Sequence, residues 1–206
     1  VRAVVGRLDG APVVGADDID RLVPADLFSA SKRARERAAP PGVADLDTIR
    51  AALLRGHFED AADLLATRDG ERSFELGVMR AKLFTNQGDW KRAVGELVEL
   101  DPADAEAPLA LEYFVELARA NLRGGDYVSC VKAVEMAEAR RAERSDPRVR
   151  AATAEALALG GMALSFLGQL DRSAPFHAQS IENARALGDP RVLSVALSSA
   201  AFSLQR

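Results

Sequence analysis

The chain has 206 residues, 48% hydrophobic and 28% charged, so it can bury a core. Its net charge of −4 argues against nonspecific nucleic-acid binding by the chain as a whole, and a single cysteine, Cys130, excludes an internal disulfide and fits a reducing compartment. No apolar run reaches the roughly 20 residues that span a bilayer, and the start "VRAVVGRLDG" lacks the apolar middle of a signal peptide. Aromatic residues make up only 5%, so the core is expected to use small and branched aliphatic side chains, which suits closely packed helices. There is no initiator Met, and the chain is expected to be a piece of a longer protein.

Residues 1–24 read as a short helix, a turn at Asp9-Gly10, two valines and a second helix capped by Asp17 or Asp18. Val1, Arg2, Gly10, Val13, Val14, Asp17, Asp18 and Ile19 together resemble the end of the helical lid of AAA+ domains in bacterial enhancer-binding activators. The same residues also fit a pair of capping helices. No G-x-x-x-x-G-K phosphate loop accompanies them, so ATP binding by this chain is not expected. Residues 25–45 read as a linker: Lys32, Arg33, Arg35 and Arg37 form a basic run interrupted by Glu36, and Pro40-Pro41-Gly42 breaks any helix. Such a run reads as a solvated hinge rather than a phosphate-binding arm.

From residue 46 onward, helices are predicted near 46–55, 58–67, 72–87, 89–100, 103–123, 126–143, 147–167, 170–187 and 190–205, with Pro102, Pro147 and Pro190 at new helix starts. Gly56, Gly88, Gly125 and Gly168 align these helices in pairs. Two residues after each glycine comes a large apolar side chain (Phe58, Trp90, Tyr127, Leu170), and five after comes a small one (Ala61, Ala93, Cys130, Ser173). Each choice has a mechanical reason. Glycine ends a helix in the left-handed conformation. Asp89 and Asp126 can cap the next helix. The large residue fills the space beside the turn, and the small one lets two helices approach.

This pattern resembles the tetratricopeptide repeat, a helix-turn-helix unit of about 34 residues. Residues 74–104 form the best copy, with Ala81, Phe84, Gly88, Trp90, Ala93, Leu97 and Pro102 at or near family positions. The copy at Gly56 is degenerate, and the longer copies, one ending "LGDP", look like those of large bacterial signalling and transcription regulators. The resemblance implies an all-α, right-handed α-solenoid over 46–206, of about four repeats and a final unpaired helix, in a cytoplasmic setting. It also implies a concave groove, lined by the first helix of each repeat, that binds a protein or peptide. Counting back from the turn glycines places Met79, Lys82, Thr85 and Asn86 there. The next repeat adds Val115, Glu116, Arg119, Leu122 and Arg123, and the third adds Met162, Ser165 and Phe166. Lys82, Asn86, Arg119 and Arg123 would form a positive, donor-rich strip suited to an acidic side chain or chain terminus. Val78 or Val115 stands ten residues before the glycine and Lys82 six before, so the Lys and Asn clamp of some family members is not carried over.

No catalytic motif, metal set or cofactor box is recognised. His57 falls in a turn. His177 occupies an apolar helix position, and its nearness to Ser173 or Ser180 is the one hint of a nucleophile and base. Cys130 fills a small-residue slot and is expected to be buried and inert. The function expected is that of a non-enzymatic binding module without a membrane span or direct nucleic-acid contact. The alternatives are an effector sensor enclosed by the superhelix and a self-association module. Self-association would use the last helix, where Val192, Val195, Leu197 and Phe202 are expected on an incompletely covered face.

Overall fold

Glycine-centred turns punctuate the chain, and helices fill the intervals. The computed structural model describes residues 45–103, 105–140 and 146–205. The segment 1–24 and the linker 25–45, apart from Asp45, lie outside the described residues. Among the described residues there are nine α-helices and no strand. In chain order they are α1 Leu46–Arg55, α2 Phe58–Ala66, α3 Phe74–Asn86, α4 Trp90–Val98, α5 Ala107–Gly124, α6 Tyr127–Ala139, α7 Pro147–Phe166, α8 Leu170–Leu187 and α9 Pro190–Leu204. The described part of the chain is therefore all-α.

The four aligned glycines share one turn. Gly56, Gly88, Gly125 and Gly168 have φ of 77°, 87°, 79° and 73°, a region that side chains with a Cβ rarely enter. In each turn the residue after the glycine donates its N–H to the carbonyl five positions back: His57 to Ala52, Asp89 to Phe84, Asp126 to Asn121 and Gln169 to Leu164, all at 2.9 Å. These bonds satisfy carbonyls that the helix end would otherwise orphan. The next helix then begins at once. Asp89 accepts from the Arg92 N–H at 3.2 Å, and Asp126 from the Ser129 N–H at 3.0 Å. That bond to Ser129 also holds the Asp126 carboxyl below its ordinary pKa.

Other helix starts are capped by side chains as well, and the last follows another left-handed glycine, Gly188. Asp45, Ser73, Asp146 and Asp189 accept N–H bonds from Thr48, Leu76, Arg148 and Arg191. Pro147 and Pro190 open α7 and α9, as their sequence positions predict. Pro102 does not open a helix. Asp101 Oδ1 accepts the Ala103 N–H at 2.8 Å and makes a local turn there, and α5 starts at Ala107 with Pro108 in its first turn.

Within a hairpin the helices run antiparallel. Going back along α7 from Ser165 to Gly161 to Ala154, the partners on α8 advance from Ser173 to His177 to Ser180. Small residues set the spacing: Ala61, Ala93 and Cys130 are 0% exposed, and Ser173 is buried. A Cβ on Gly161 would lie 2.6 Å from the imidazole of His177, and one on Gly124 would lie 2.8 Å from Trp90. First helices of successive hairpins run parallel, since contacts repeat at a spacing of 36 residues: Glu112 with Arg148, Arg119 with Glu155, Glu155 with Arg191.

The main core joins α3 to α7 around Leu97, Leu111, Phe114, Val134 and Leu164. Burial of Phe114, 1% exposed, contributes about 1.5–3 kcal/mol. A second cluster packs Ile49, Leu53, Leu65 and Leu76 between α1, α2 and α3, and a third holds α9 through Ala154, Ala184, Val192 and Ala196. Val192 is thus buried, whereas Val195, Leu197 and Phe202 stand 43%, 45% and 38% exposed, Val195 and Phe202 on one flank of the buried stripe of α9 and Leu197 on the other. No helix among the described residues is long and apolar enough to cross a membrane.

Candidate functional site

The first helices α1, α3, α5, α7 and α9 carry long polar side chains on one side, and the parallel register brings these into contact. Arg50 on α1 pairs with Glu75 on α3 and lies 3.6 Å from Glu112 on α5, which also takes Arg148 of α7 at 2.9 Å. One turn further along, Lys82 Nζ is 3.8 Å from Glu116 Oε1, and Arg119 pairs with the same Glu116 oxygen. Arg119 also donates to Glu155 Oε2 on α7 at 2.9 Å, and Glu155 reaches Arg191 of α9 at 3.6 Å. The result is two rows of alternating charge across the stacked first helices.

Within these rows Glu116 is the most enclosed, followed by Glu155 and Arg119. Glu116 is 3% exposed, and its Oε2 has no hydrogen-bond partner among the described residues. Burial pulls the Arg119 guanidinium toward losing its proton, but the flanking Glu116 and Glu155 outweigh this and hold it above the ordinary arginine value. Arg119 is therefore a fixed cation, cross-linking α5 to α7. A small cavity of about 30 Å³, lined by Leu53, Val78, Met79 and the polar groups of Arg50, Lys82, Glu112 and Glu116, lies beside it.

The structure distributes the residues predicted to line the groove as follows. Lys82, Glu116 and Arg119 come together in one charge row, so the expected positive strip carries its own carboxylates. Met79 lies in the core at 5% exposure. Asn86 spends its amide on the Lys82 carbonyl at 2.8 Å. Arg123 caps α3 by donating to the Thr85 carbonyl at 2.7 Å, and among the described residues it meets no carboxylate. Met162 is half-buried. Phe166 stacks on Tyr127 at 4.5 Å between centroids and touches Phe202 at 5.6 Å, so it belongs to an aromatic row at the turn end. Thr85, Val115 and Ser165 are buried. Sequence reasoning missed Arg50, Glu75, Glu112, Arg148, Glu155 and Arg191. The signal that finds Glu112, Arg148, Glu155 and Arg191 is the recurrence of opposite charges 36 residues apart, once the helices are known to be parallel; Arg50 and Glu75, 25 residues apart, carry no such signal.

The polar groups between α7, α8 and α9 are paired differently from the sequence hint. The partner of His177 is Ser203, whose Oγ lies 2.8 Å from Nε2, and not Ser173 or Ser180. Ser173 donates to the Gly161 carbonyl at 2.9 Å, and Ser180 to the Ala154 carbonyl at 2.7 Å. Burial holds the His177 pKa below its ordinary value, and Nδ1 is buried without a partner among the described residues. Cys130 is fully buried, and burial pushes its thiol up to about 12. The described residues bring together no group of three or more side chains arranged to hold a metal ion.

No protein-family model, curated protein or solved structure matches the chain.

Proposed function

We propose that residues 46–206 form a right-handed α-solenoid of tetratricopeptide-like hairpins, and that this array is a non-enzymatic module binding a protein or peptide along the face of its first helices. The observation that carries the reading is the fourfold repetition of one turn: a left-handed glycine followed by an N–H reaching back five residues at 2.9 Å, with a buried small residue on the next helix. Identical turns stack hairpins in a common direction, and stacking of that kind leaves one continuous surface for recognition. The setting in a cytoplasmic bacterial signalling or transcription regulator rests on the sequence resemblance alone.

Arg119 is already saturated by two carboxylates, so ligand recognition falls to the less engaged Lys82 and Arg123. Reversing both to Glu, with Arg119 left in place, is expected to abolish binding of acidic peptide ligands while the helical circular dichroism is unchanged. Retained binding by the folded variant would exclude this face. A second reading, self-association through α9, is favoured by the exposure of Val195, Leu197, Phe202 and Leu204. Light scattering across a concentration series distinguishes the two: a mass that rises with concentration and falls back in Leu197→Glu supports self-association.

A further inference from the structure

The helices that carry the charge rows have a second side. With 3.6 residues per turn, Glu75, Met79, Lys82 and Asn86 share one stripe of α3, and Gly77, Arg80, Phe84 and Gln87 occupy the opposite one. That opposite stripe is the floor of a groove of about 820 Å³. Its walls are the second helices: Ala62, Leu65 and Ala66 of α2 on one side, and Gly95 and Glu96 of α4, with Glu99 and Leu100 just past its end, on the other. The groove exists because both wall helices are short. Each has nine residues, whereas α3 has 13, so the start of α3 around Phe74 is left uncovered between them.

The chemistry of the groove is asymmetric. Gly77 and Phe84 form the apolar part of the floor, with Gly77 close against Leu100, and Arg80 and Gln87 edge it. Two of the three lining arginines are already engaged: Arg80 donates to the carbonyls of Arg68 and Glu71 at 3.0 and 3.1 Å, and Arg92 lies 4.2 Å over the Phe84 ring, while Arg72 stands exposed on the loop before α3, away from the α4 wall. The α4 wall, by contrast, carries Glu96 and Glu99, which form no ion pair among the described residues, next to Asp101. We infer that this groove, on the side of α3 opposite the charge rows, docks an amphipathic helical segment of a partner protein with apolar residues at i, i+3 and i+4 and Lys or Arg on the edge facing α4. The apolar residues would cover Phe74 and Phe84, and the basic edge would complete the unpaired carboxylates. The helical part of that wall, Arg92 to Val98, is seven residues, about 10 Å, so two turns of partner helix match it.

Gly95 provides the test, because a Cβ there meets nothing within 4 Å and a larger side chain would occupy the groove without disturbing the hairpin. A display library of 16-residue peptides, panned on the 206-residue chain and on Gly95→Phe, serves as the probe. Enriched peptides are expected to pair apolar residues at helical spacing with Lys or Arg. They should bind about tenfold or more weakly to Gly95→Phe and to the Glu96→Lys, Glu99→Lys double variant, with circular dichroism unchanged in both. Enrichment of acidic peptides, equal binding to Gly95→Phe, loss of binding in Lys82→Glu instead, or no enrichment at all would overturn the proposal. So would a dimer of the chain alone that Gly95→Phe dissociates, since the occupant would then be a second copy.

Discussion

Replacing Gly161 by Ala tests how closely the helices of a hairpin approach. In an open helix this change stabilises, by about 0.5–1 kcal/mol, because alanine loses less backbone freedom on folding. At Gly161 the new methyl would sit 2.6, 2.7 and 2.8 Å from three atoms of the His177 ring. The ring has little room to yield, since His177 is 7% exposed and its Nε2 is held by Ser203 at 2.8 Å. Overpacking at such a site costs about 1–3 kcal/mol. The net expectation is a loss of about 1–2 kcal/mol, or roughly 2–8 °C in Tm for a domain of this size. The assay is urea unfolding followed by circular dichroism, run as a cycle with His177→Ala. With the ring removed, Gly161→Ala is expected to recover its intrinsic gain, giving a coupling of about 1.5–3 kcal/mol. Gly95→Ala, which meets no neighbour, is the control and is expected to stabilise. A Gly161→Ala protein as stable as the parent, with no coupling to His177, would refute the close approach.

Three further outcomes follow from the buried polar groups. Arg119→Ala is expected to cost about 3–5 kcal/mol in urea unfolding, because it strands the buried Glu116 with only Lys82 at 3.8 Å. Cys130, buried and with its thiol pushed up to about 12, is expected to resist a disulfide reagent in the native state at about pH 8 and to react at once in denaturant. His177 has a folded pKa depressed by burial, so its neutral form contributes stability above 6.5 that is lost as pH falls below that value. Tm is therefore expected to fall between about pH 6.5 and the carboxylate range, and His177→Gln is expected to flatten that slope.

The turns were legible in the sequence because their requirement is local. A left-handed residue, a cap and a small side chain five positions on are each demanded by the chain's own backbone, and Gly125, Asp126 and Cys130 display all three. The start of α5 was misplaced for an equally local reason: Pro102 and Pro108 both fit a first turn, and only the Asx bond from Asp101 to Ala103 decides between them. The state of the predicted groove residues was not legible in that way. Lys82 and Arg119 read as free cations until α3, α5 and α7 are set in register, which places Glu116 against Lys82 and Glu155 against Arg119. The groove between α2 and α4 was likewise hidden, because it depends on the length of two helices that do not touch it by any motif.

The charge rows also constrain what any ligand of the first-helix face can do. An acidic group approaching Arg119 must displace Glu116 or Glu155, and either carboxylate would then lose its partner in a partly enclosed site, a cost of several kcal/mol that the incoming pair has to match. At Arg123 the same approach displaces only the Thr85 carbonyl from one of five donors of an exposed side chain. On the proposed reading, then, affinity for acidic ligands is concentrated near the ends of α3 and α5, and the centre of the face, however many arginines it contains, holds the hairpins in register.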